Sequence, residues 1–256
     1  MSGAEAPETT FLQSDQPDGV PPLELTGERT LPDVPAENYW YRRHLAVYEW
    51  IAERTAGQRV VDLACGEGYG TDTLAGSAAA AVGIDANPEA YEHARLRYRR
   101  PNLSFERDLV ENVRGPYDTV VFLQTIEHIE KPDALLAKIS AAAPVAYIST
   151  PNRLTLAPEG AEKSDNPWHL REYTEAEYRD LLESAFSEVE ILGLHHARKL
   201  RVHQWALNVG WDRIHKGLRI SKPFYDRFTP AISAADFELR PDNLDGALDF
   251  LAICRR

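Results

Sequence analysis

The sequence predicts a doubly wound α/β fold, a seven-stranded and mostly parallel sheet of Rossmann-like type with helices on both faces. Three observations carry this reading. From residue 59 onward, short apolar runs of strand length alternate with helical segments. The first run leads into the glycine-rich turn Cys65-Gly66-Glu67-Gly68-Tyr69-Gly70. The second ends in Gly83-Ile84-Asp85, which places a carboxylate nineteen positions past Gly66. Strands separated by helices of this length require right-handed crossovers, which cover both faces of the sheet.

Arg59–Ala64 reads as the first buried strand because it is apolar apart from Arg59 and Asp62, and it stops at a turn that needs glycine. Ahead of it, Tyr39 to Arg54 carries Trp40, His44, Val47, Tyr48 and Ile51 on one helical stripe. Tyr69–Leu74 opens the next helix and Ala80–Ile84 is the second strand. Pro88–Arg99 is a helix with proline in its first turn. Leu103–Glu106 and Tyr117–Leu123 are the third and fourth strands, Asp133–Ala141 a helix and Val145–Ser149 the fifth strand. Glu175–Ser184 is another helix, followed by strands at Val189–Leu194 and Leu248–Cys254. Residues 195–244 break the rhythm. Trp205, Trp211, Phe224, Tyr225 and Phe228 lie between breaks such as Ser221–Pro223, so the stretch reads as a helical insertion before the last strand. A lid, a substrate wall, a dimer surface and plain core packing all remain open for it. Residues 1–22, rich in Pro, Asp, Glu, Ser and Gly, read as a disordered tail, leaving 23–256 as one domain.

The bulk numbers narrow the function. With 43% hydrophobic and 27% charged residues, 256 residues build one sizeable core. A net charge of −12 repels polyanions, so nucleic acid is not an expected partner. The local basic group Arg95, Arg97, Arg99 and Arg100 sits at a predicted helix C-terminus, where it complements the dipole. Two cysteines, Cys65 and Cys254, build no disulfide framework. The start lacks a basic, apolar leader and no apolar run is long enough to span a bilayer. The expectation is a soluble cytoplasmic protein with no membrane partner.

Ligands of open α/β sheets bind beyond the carboxyl ends of the strands, where the strand order reverses. Gly66 and Gly68 let the backbone approach such a ligand, and Asp85 can accept both hydroxyls of a ribose. A nicotinamide enzyme would present G-x-G-x-x-G, but the third position of that pattern is Thr71. Asp62, four residues before Gly66, suits a positively charged amino group, which S-adenosylmethionine carries and NAD does not. The segments VVDLACGEGYGT and VGIDANPEA resemble the first two motifs of class I S-adenosylmethionine-dependent methyltransferases, and FERDL, YDTVVFLQTIEHI and PVAYISTPN continue the likeness. The resemblance implies that Gly66 and Gly68, with Ala64, line the methionine moiety and that Asp62 holds its amino group. Asp85 and Ala86 then meet the ribose, Asp108 and Leu109 the adenine, and Gln124 stands beside the sulfonium. Tyr39 and His44 are candidates to close over the cofactor from the N-terminal helix, although packing explains the aromatic ring equally well.

Gln124-Thr125-Ile126-Glu127-His128 supplies the chemistry. Read as a helical turn, positions i, i+3 and i+4 bring Gln124, Glu127 and His128 to one face. His169, in Asn166-Pro167-Trp168-His169-Leu170-Arg171-Glu172, returns over the same rim. Gln124, Glu127, His128 and His169 together make a candidate site for Mg²⁺ or another divalent ion. This set resembles metal-dependent O-methyltransferases of small-RNA 3′ ends and of ubiquinone biosynthesis, which carry Glu-x-x-Glu-His; here Gln124 replaces the first glutamate and removes a charge. Without a metal, His128 or His169 serves as general base beside Glu127. The blocks LTGERTLPD, ENYWYRRH, STPNR, NPWHLRE, ADFEL and LDFLAI resemble actinobacterial methyltransferases of methylated mannose polysaccharides. That likeness implies transfer to a saccharide hydroxyl. An aromatic natural product or quinone precursor is the alternative acceptor. A catalytically silent binding protein is the alternative of another class, against which the intact cofactor set weighs.

Overall fold

The computed structural model describes residues 13, 16–26, 29–158, 160–208 and 227–256. Trp211, Phe224, Tyr225 and the Ser221–Pro223 break lie outside the described residues. The sheet is built from β1 (Arg59–Leu63), β2 (Ala80–Asp85), β3 (Leu103–Arg107), β4 (Thr119–Leu123), β5 (Val145–Pro151), β6 (Glu188–His196), β7 (Phe237–Arg240) and β8 (Asp249–Arg255). Their spatial order is β3-β2-β1-β4-β5-β8-β6-β7. The five strands from β3 to β5 are parallel. The remaining pairings are antiparallel.

The sheet therefore has eight strands, not seven. The additional one, β7, arises inside the stretch expected to be a helical insertion. It pairs Leu239 with Leu194 along the outer side of β6. Four residues are too few for alternation to stand out in sequence, and the partner strand rather than local pattern makes this segment extended.

Among the described residues the α-helices are α1 (Asn38–Ala52), α2 (Tyr69–Ala75), α3 (Pro88–Arg97), α4 (Pro132–Ala142), α5 (Arg153–Leu156), α6 (Glu175–Glu183) and α7 (Arg198–Asn208). Asn87 accepts hydrogen bonds from the Glu89 and Ala90 amides at the start of α3, with Pro88 in the first turn. Thr174 and Glu177 form a reciprocal capping box on α6.

Alternate residues of each strand feed two cores. Val60 and Val121 pack with Val47, Tyr48 and Ile51 of α1 and Leu74 of α2. Val61, Val120 and Phe122 point the other way, into Leu135, Leu136 and Ile139 of α4 and Tyr178 and Leu182 of α6. Near-continuous apolar strands are what a sheet covered on both faces demands. Each such fully buried side chain contributes ~1.5–3 kcal/mol.

Part of the N-terminal stretch contacts the domain in the described residues. Gln13 and Val20 are buried, and the Gln13 amide donates to the Leu23 carbonyl at 3.3 Å. The Pro21 carbonyl lies 2.7 Å from Nδ1 of His93 on α3. Leu23, Leu31 and Val34 form a small core of their own. Among the described residues, no helix is long and apolar enough to cross a membrane.

Candidate active site

The strand order reverses between β1 and β4, whose ends lie level, with Leu63 opposite Phe122 and Ile84 of β2 opposite Leu63. A cavity of about 790 Å³ opens there, where a doubly wound sheet presents ligands. Both strands leave the sheet through left-handed residues that are not glycine, Ala64 at φ 57° and Gln124 at φ 50°. Such conformations cost ~1–3 kcal/mol and persist where surrounding structure enforces them. Both residues line the cavity.

The two expected loop glycines do different work. Gly66 has φ +57°, and a Cβ there would meet nothing nearer than the Arg29 Cβ at 4.0 Å, so its exposed side is open to a ligand. Gly68, at φ +99°, starts α2, and a Cβ there would lie 2.8 Å from Ala94 and 3.1 Å from Phe105. Gly68 is thus required for packing α3 and β3 against the loop, and it is not among the lining residues. Asp85 is tied at both oxygens, accepting from the Gly66 amide at 2.7 Å and the Asn87 amide at 2.8 Å. It lines the cavity beside Ala86.

Asp62 is not on the cavity surface. Wholly buried beneath it, Asp62 accepts from Thr71 Oγ1 at 2.7 Å and from the Tyr48 hydroxyl at 3.3 Å. Burial pushes its carboxyl up to about 7, with the two hydroxyls pulling the other way. Asp108 and Leu109 also lie outside the lining. Asp108 is exposed and caps its own turn, accepting from the Leu109 amide at 2.8 Å and Asn112 Nδ2 at 2.7 Å. Tyr39 faces away, with its hydroxyl 2.7 Å from Nε2 of His196 and its ring edge-on to Phe237. His44, one turn along the same helix, does line the cavity, its Nδ1 3.3 Å from Thr30 Oγ1. Burial lowers its pKa to about 4, so its ring is neutral at physiological pH.

Gln124, Glu127, His128 and His169 all line one wall, though not as one helical turn. Gln124 directly follows β4, and its Nε2 lies 3.1 Å from Ser149 Oγ. Glu127 and His128 belong to a separate 3₁₀ turn, Ile126–His128. One ligand atom each from Glu127, His128 and His169 lies within 4.8 Å of the others. Glu127 is buried, accepts from Thr150 Oγ1 at 3.1 Å, and is pushed up to about 8 by desolvation. Its carbonyl accepts from the Leu170 amide at 2.9 Å, which ties the histidine-bearing loop to this turn.

The acceptors around the two imidazoles decide their tautomers. His128 Nδ1 is 2.8 Å from the Trp168 carbonyl, which can only accept. His169 Nδ1 is 2.6 Å from Glu172 Oε1, a carboxylate that Ser164 also secures. Its side-chain bonds to Ser164 and His169 hold Glu172 below the usual glutamate range against the opposing effect of burial. Both contacts place a proton on Nδ1, so in the neutral ring Nε2 is the nitrogen that suits metal ligation or proton abstraction. Asn166 Nδ2 lies 3.0 Å from Nε2 of His169.

Sequence spacing missed several wall residues. Arg43 and Asp249 form a buried ion pair, Arg43 Nε to Asp249 Oδ2 at 2.6 Å, across 206 positions. Glu67 sits within the glycine turn, which was a legible hint. It accepts from Gln13 Nε2 at 2.8 Å and the Tyr98 hydroxyl at 2.6 Å, and lies 2.9 Å from Nε2 of His93. Trp40 and Trp168 line the cavity with 40% and 46% of their surface exposed, leaving aromatic faces for an incoming molecule.

A family model described as "Methyltransferase domain" matches residues 39–215. The chain is 35% identical to a probable S-adenosylmethionine-dependent methyltransferase of Mycolicibacterium smegmatis, with 94% of this chain and 98% of that one covered. It is 34% identical to a probable S-adenosylmethionine-dependent methyltransferase of Mycobacterium tuberculosis, over 91% of this chain and 90% of that one. Its fold is similar to a Thermotoga maritima S-adenosylmethionine-dependent methyltransferase described as a possible histamine N-methyltransferase, with TM-score 0.57 and 14% identity over 86% of this chain and 94% of that chain.

Proposed function

The chain belongs to the S-adenosylmethionine-dependent methyltransferases, and we propose that it transfers the methyl group to a hydroxyl oxygen, with Glu127, His128 and His169 handling the acceptor. The observation that carries this reading is the convergence of those three ligand atoms within 4.8 Å on a wall of the cavity that also holds Gly66 and Asp85. A methyl donor bound over Gly66 and Asp85 and a hydroxyl held at the cluster share one chamber.

The donor set fits a divalent cation. Two imidazole nitrogens oriented from behind and one carboxylate suit a first-row transition ion better than Mg²⁺, which prefers an all-oxygen octahedron. A bound ion supplies Lewis acidity toward the acceptor hydroxyl. The chain's own residues do the rest. Glu172 and the Trp168 carbonyl hold the two Nδ1 protons, which leaves Nε2 of the neutral ring as the ligating or basic atom. Without an ion, His128 or His169 takes the hydroxyl proton, Asn166 giving way at His169 Nε2. The oxygen forms its bond to the methyl carbon while the carbon–sulfur bond breaks, leaving S-adenosylhomocysteine. A saccharide is the preferred acceptor, because Trp40 and Trp168 offer exposed rings to a sugar face and vicinal hydroxyls suit a chelating centre. An aromatic or quinone precursor is the second reading, since the same tryptophans stack on flat rings.

The test is calorimetric titration of Mn²⁺ and of Mg²⁺ into the protein with S-adenosylhomocysteine, paired with radiolabelled methyl transfer to oligosaccharides and to phenols. We expect a Mn²⁺ site weakened at least tenfold in Glu127→Gln, and label in an alkali-stable ether. Transfer to nitrogen or carbon would overturn the oxygen reading. Transfer to oxygen that is indifferent to chelators would overturn the metal and leave His169 as base.

A further inference from the structure

Large apolar side chains left in water are ordinary one at a time and informative where they gather at a cavity. Trp40, Trp168 and Leu170 keep 40%, 46% and 56% of their surface exposed, and all three line the cavity. Leu154, 53% exposed, lies two positions before Leu156, which lines it as well. The wall changes character across the sheet. Where β1 and β2 end it is built from Gly66, Glu67, Asp85 and Asn87. The end of β5 and the chain after it contribute Pro151, Leu156, Trp168 and Leu170, with Asn166 and His169 as the polar members.

These apolar groups are fixed in place by the backbone beneath them. Buried Asn152 accepts from the Leu154 amide at 3.0 Å and donates through Nδ2 to the carbonyls of Leu244, Asp245 and Ala247. The Arg153 amide donates to the Tyr173 carbonyl at 3.0 Å. The Leu170 and Arg171 amides both donate to the Glu127 carbonyl. Leu170 is thus one hydrogen bond from the turn that carries Glu127 and His128, and a rim set in advance costs little to order on binding.

A small polar acceptor would leave these side chains in water in the complex as in the free protein. An acceptor with an apolar group next to its reacting hydroxyl would cover them and gain the hydrophobic contribution. We propose that the acceptor is amphipathic, with the reacting hydroxyl at Glu127, His128 and His169 and an alkyl chain or similar apolar group laid along Leu154, Leu156, Trp168 and Leu170. This rests on the hydroxyl-transfer reading above and holds for either head group, sugar or phenol.

Radiolabelled methyl transfer to matched pairs tests it in the full-length chain: methyl and octyl glycosides of glucose and of mannose, and 4-methylcatechol and 4-hexylcatechol, all kept below micelle formation. The long-chain member of the labelled pair should show a kcat/KM higher by ~10- to 100-fold, carried by KM, as partial burial of the added methylenes gives. Leu154→Ser with Leu170→Ser should cut that preference by ~10-fold, and S-adenosylhomocysteine affinity checks that the double variant is folded. Equal kcat/KM within every pair, or a preference that survives both substitutions, would overturn the inference. A dodecyl glycoside labelled only when embedded in phosphatidylcholine vesicles would overturn it too, since the rim would then be meeting a lipid surface rather than the acceptor's own chain. Label bound to oxygen in none of the pairs, with S-adenosylhomocysteine still binding, would instead remove the hydroxyl-transfer reading and this inference with it.

Discussion

Asp62→Asn is a sharp test of how the cofactor turn is built. Asp62 is the first carboxylate of the glycine-rich segment, yet it is buried with only the Thr71 and Tyr48 hydroxyls as partners. No cation contributes to its shift, and the nearby Asp85 raises it further. Its carboxyl moves from 3.8 to about 7. Between those values the folded protein holds a proton that the unfolded chain has released, so stability falls as pH rises from 4 to 7 and levels off above. About three pH units at ~1.4 kcal/mol each give ~4 kcal/mol, a large part of a typical 5–15 kcal/mol total. The substituted amide would keep the shape without the charge, and hydroxyl rotors can re-pair with it. Urea unfolding across pH 4 to 8.5 should show the two proteins converging at the acid end. The variant should lead by ~2–4 kcal/mol at pH 8. A difference independent of pH would mean that Asp62 does not titrate in this window. A variant that did not lead at pH 8 would mean that the buried charge is not destabilising, and either result refutes the argument. S-adenosylmethionine, with two positive centres, favours the ionised form. Its binding near pH 7 should release a proton in the wild type and none in the variant, which calorimetry in buffers of different ionisation enthalpy would read.

Two further substitutions separate positioning from packing. Glu172→Gln can turn an amide N–H toward His169 Nδ1 and move the ring proton to Nε2. Methyl transfer should then fall by ~100-fold or more with S-adenosylhomocysteine affinity unchanged. Nitrogen-15 NMR of the imidazoles reads that tautomer directly, and an unchanged ring would exclude the role. Gly70→Ala would set a methyl 2.1 Å from Tyr48 Cζ. Overpacking of this kind costs ~1–3 kcal/mol and should lower the melting temperature by about 2–12 °C; an unshifted melt would show that the α1–α2 contact is loose.

Local pattern alone determined most of the fold, because its signals are local. Alternating apolar runs placed every strand from Arg59 to His196 within about two residues, since burial on both faces demands continuous Val, Ile and Leu. Glycines and Asp85 marked the ligand rim, because a tight turn and a carboxylate at a strand end follow from spacing in one crossover. Glu127, His128 and His169 were legible as residue types, but their convergence depends on the amide bond that ties Leu170 to the Glu127 carbonyl.

What only the tertiary structure decided are the relations between distant segments. Asp62 has the right type and position in sequence, yet Tyr48 from α1 and Thr71 from α2 cover it. Asp108 caps its own turn. Arg43 is neutralised by a partner at the far end of the chain, and β7 exists because β6 offers it an edge. Charge balance and burial are sums over three-dimensional neighbours, and no spacing rule along the chain carries them.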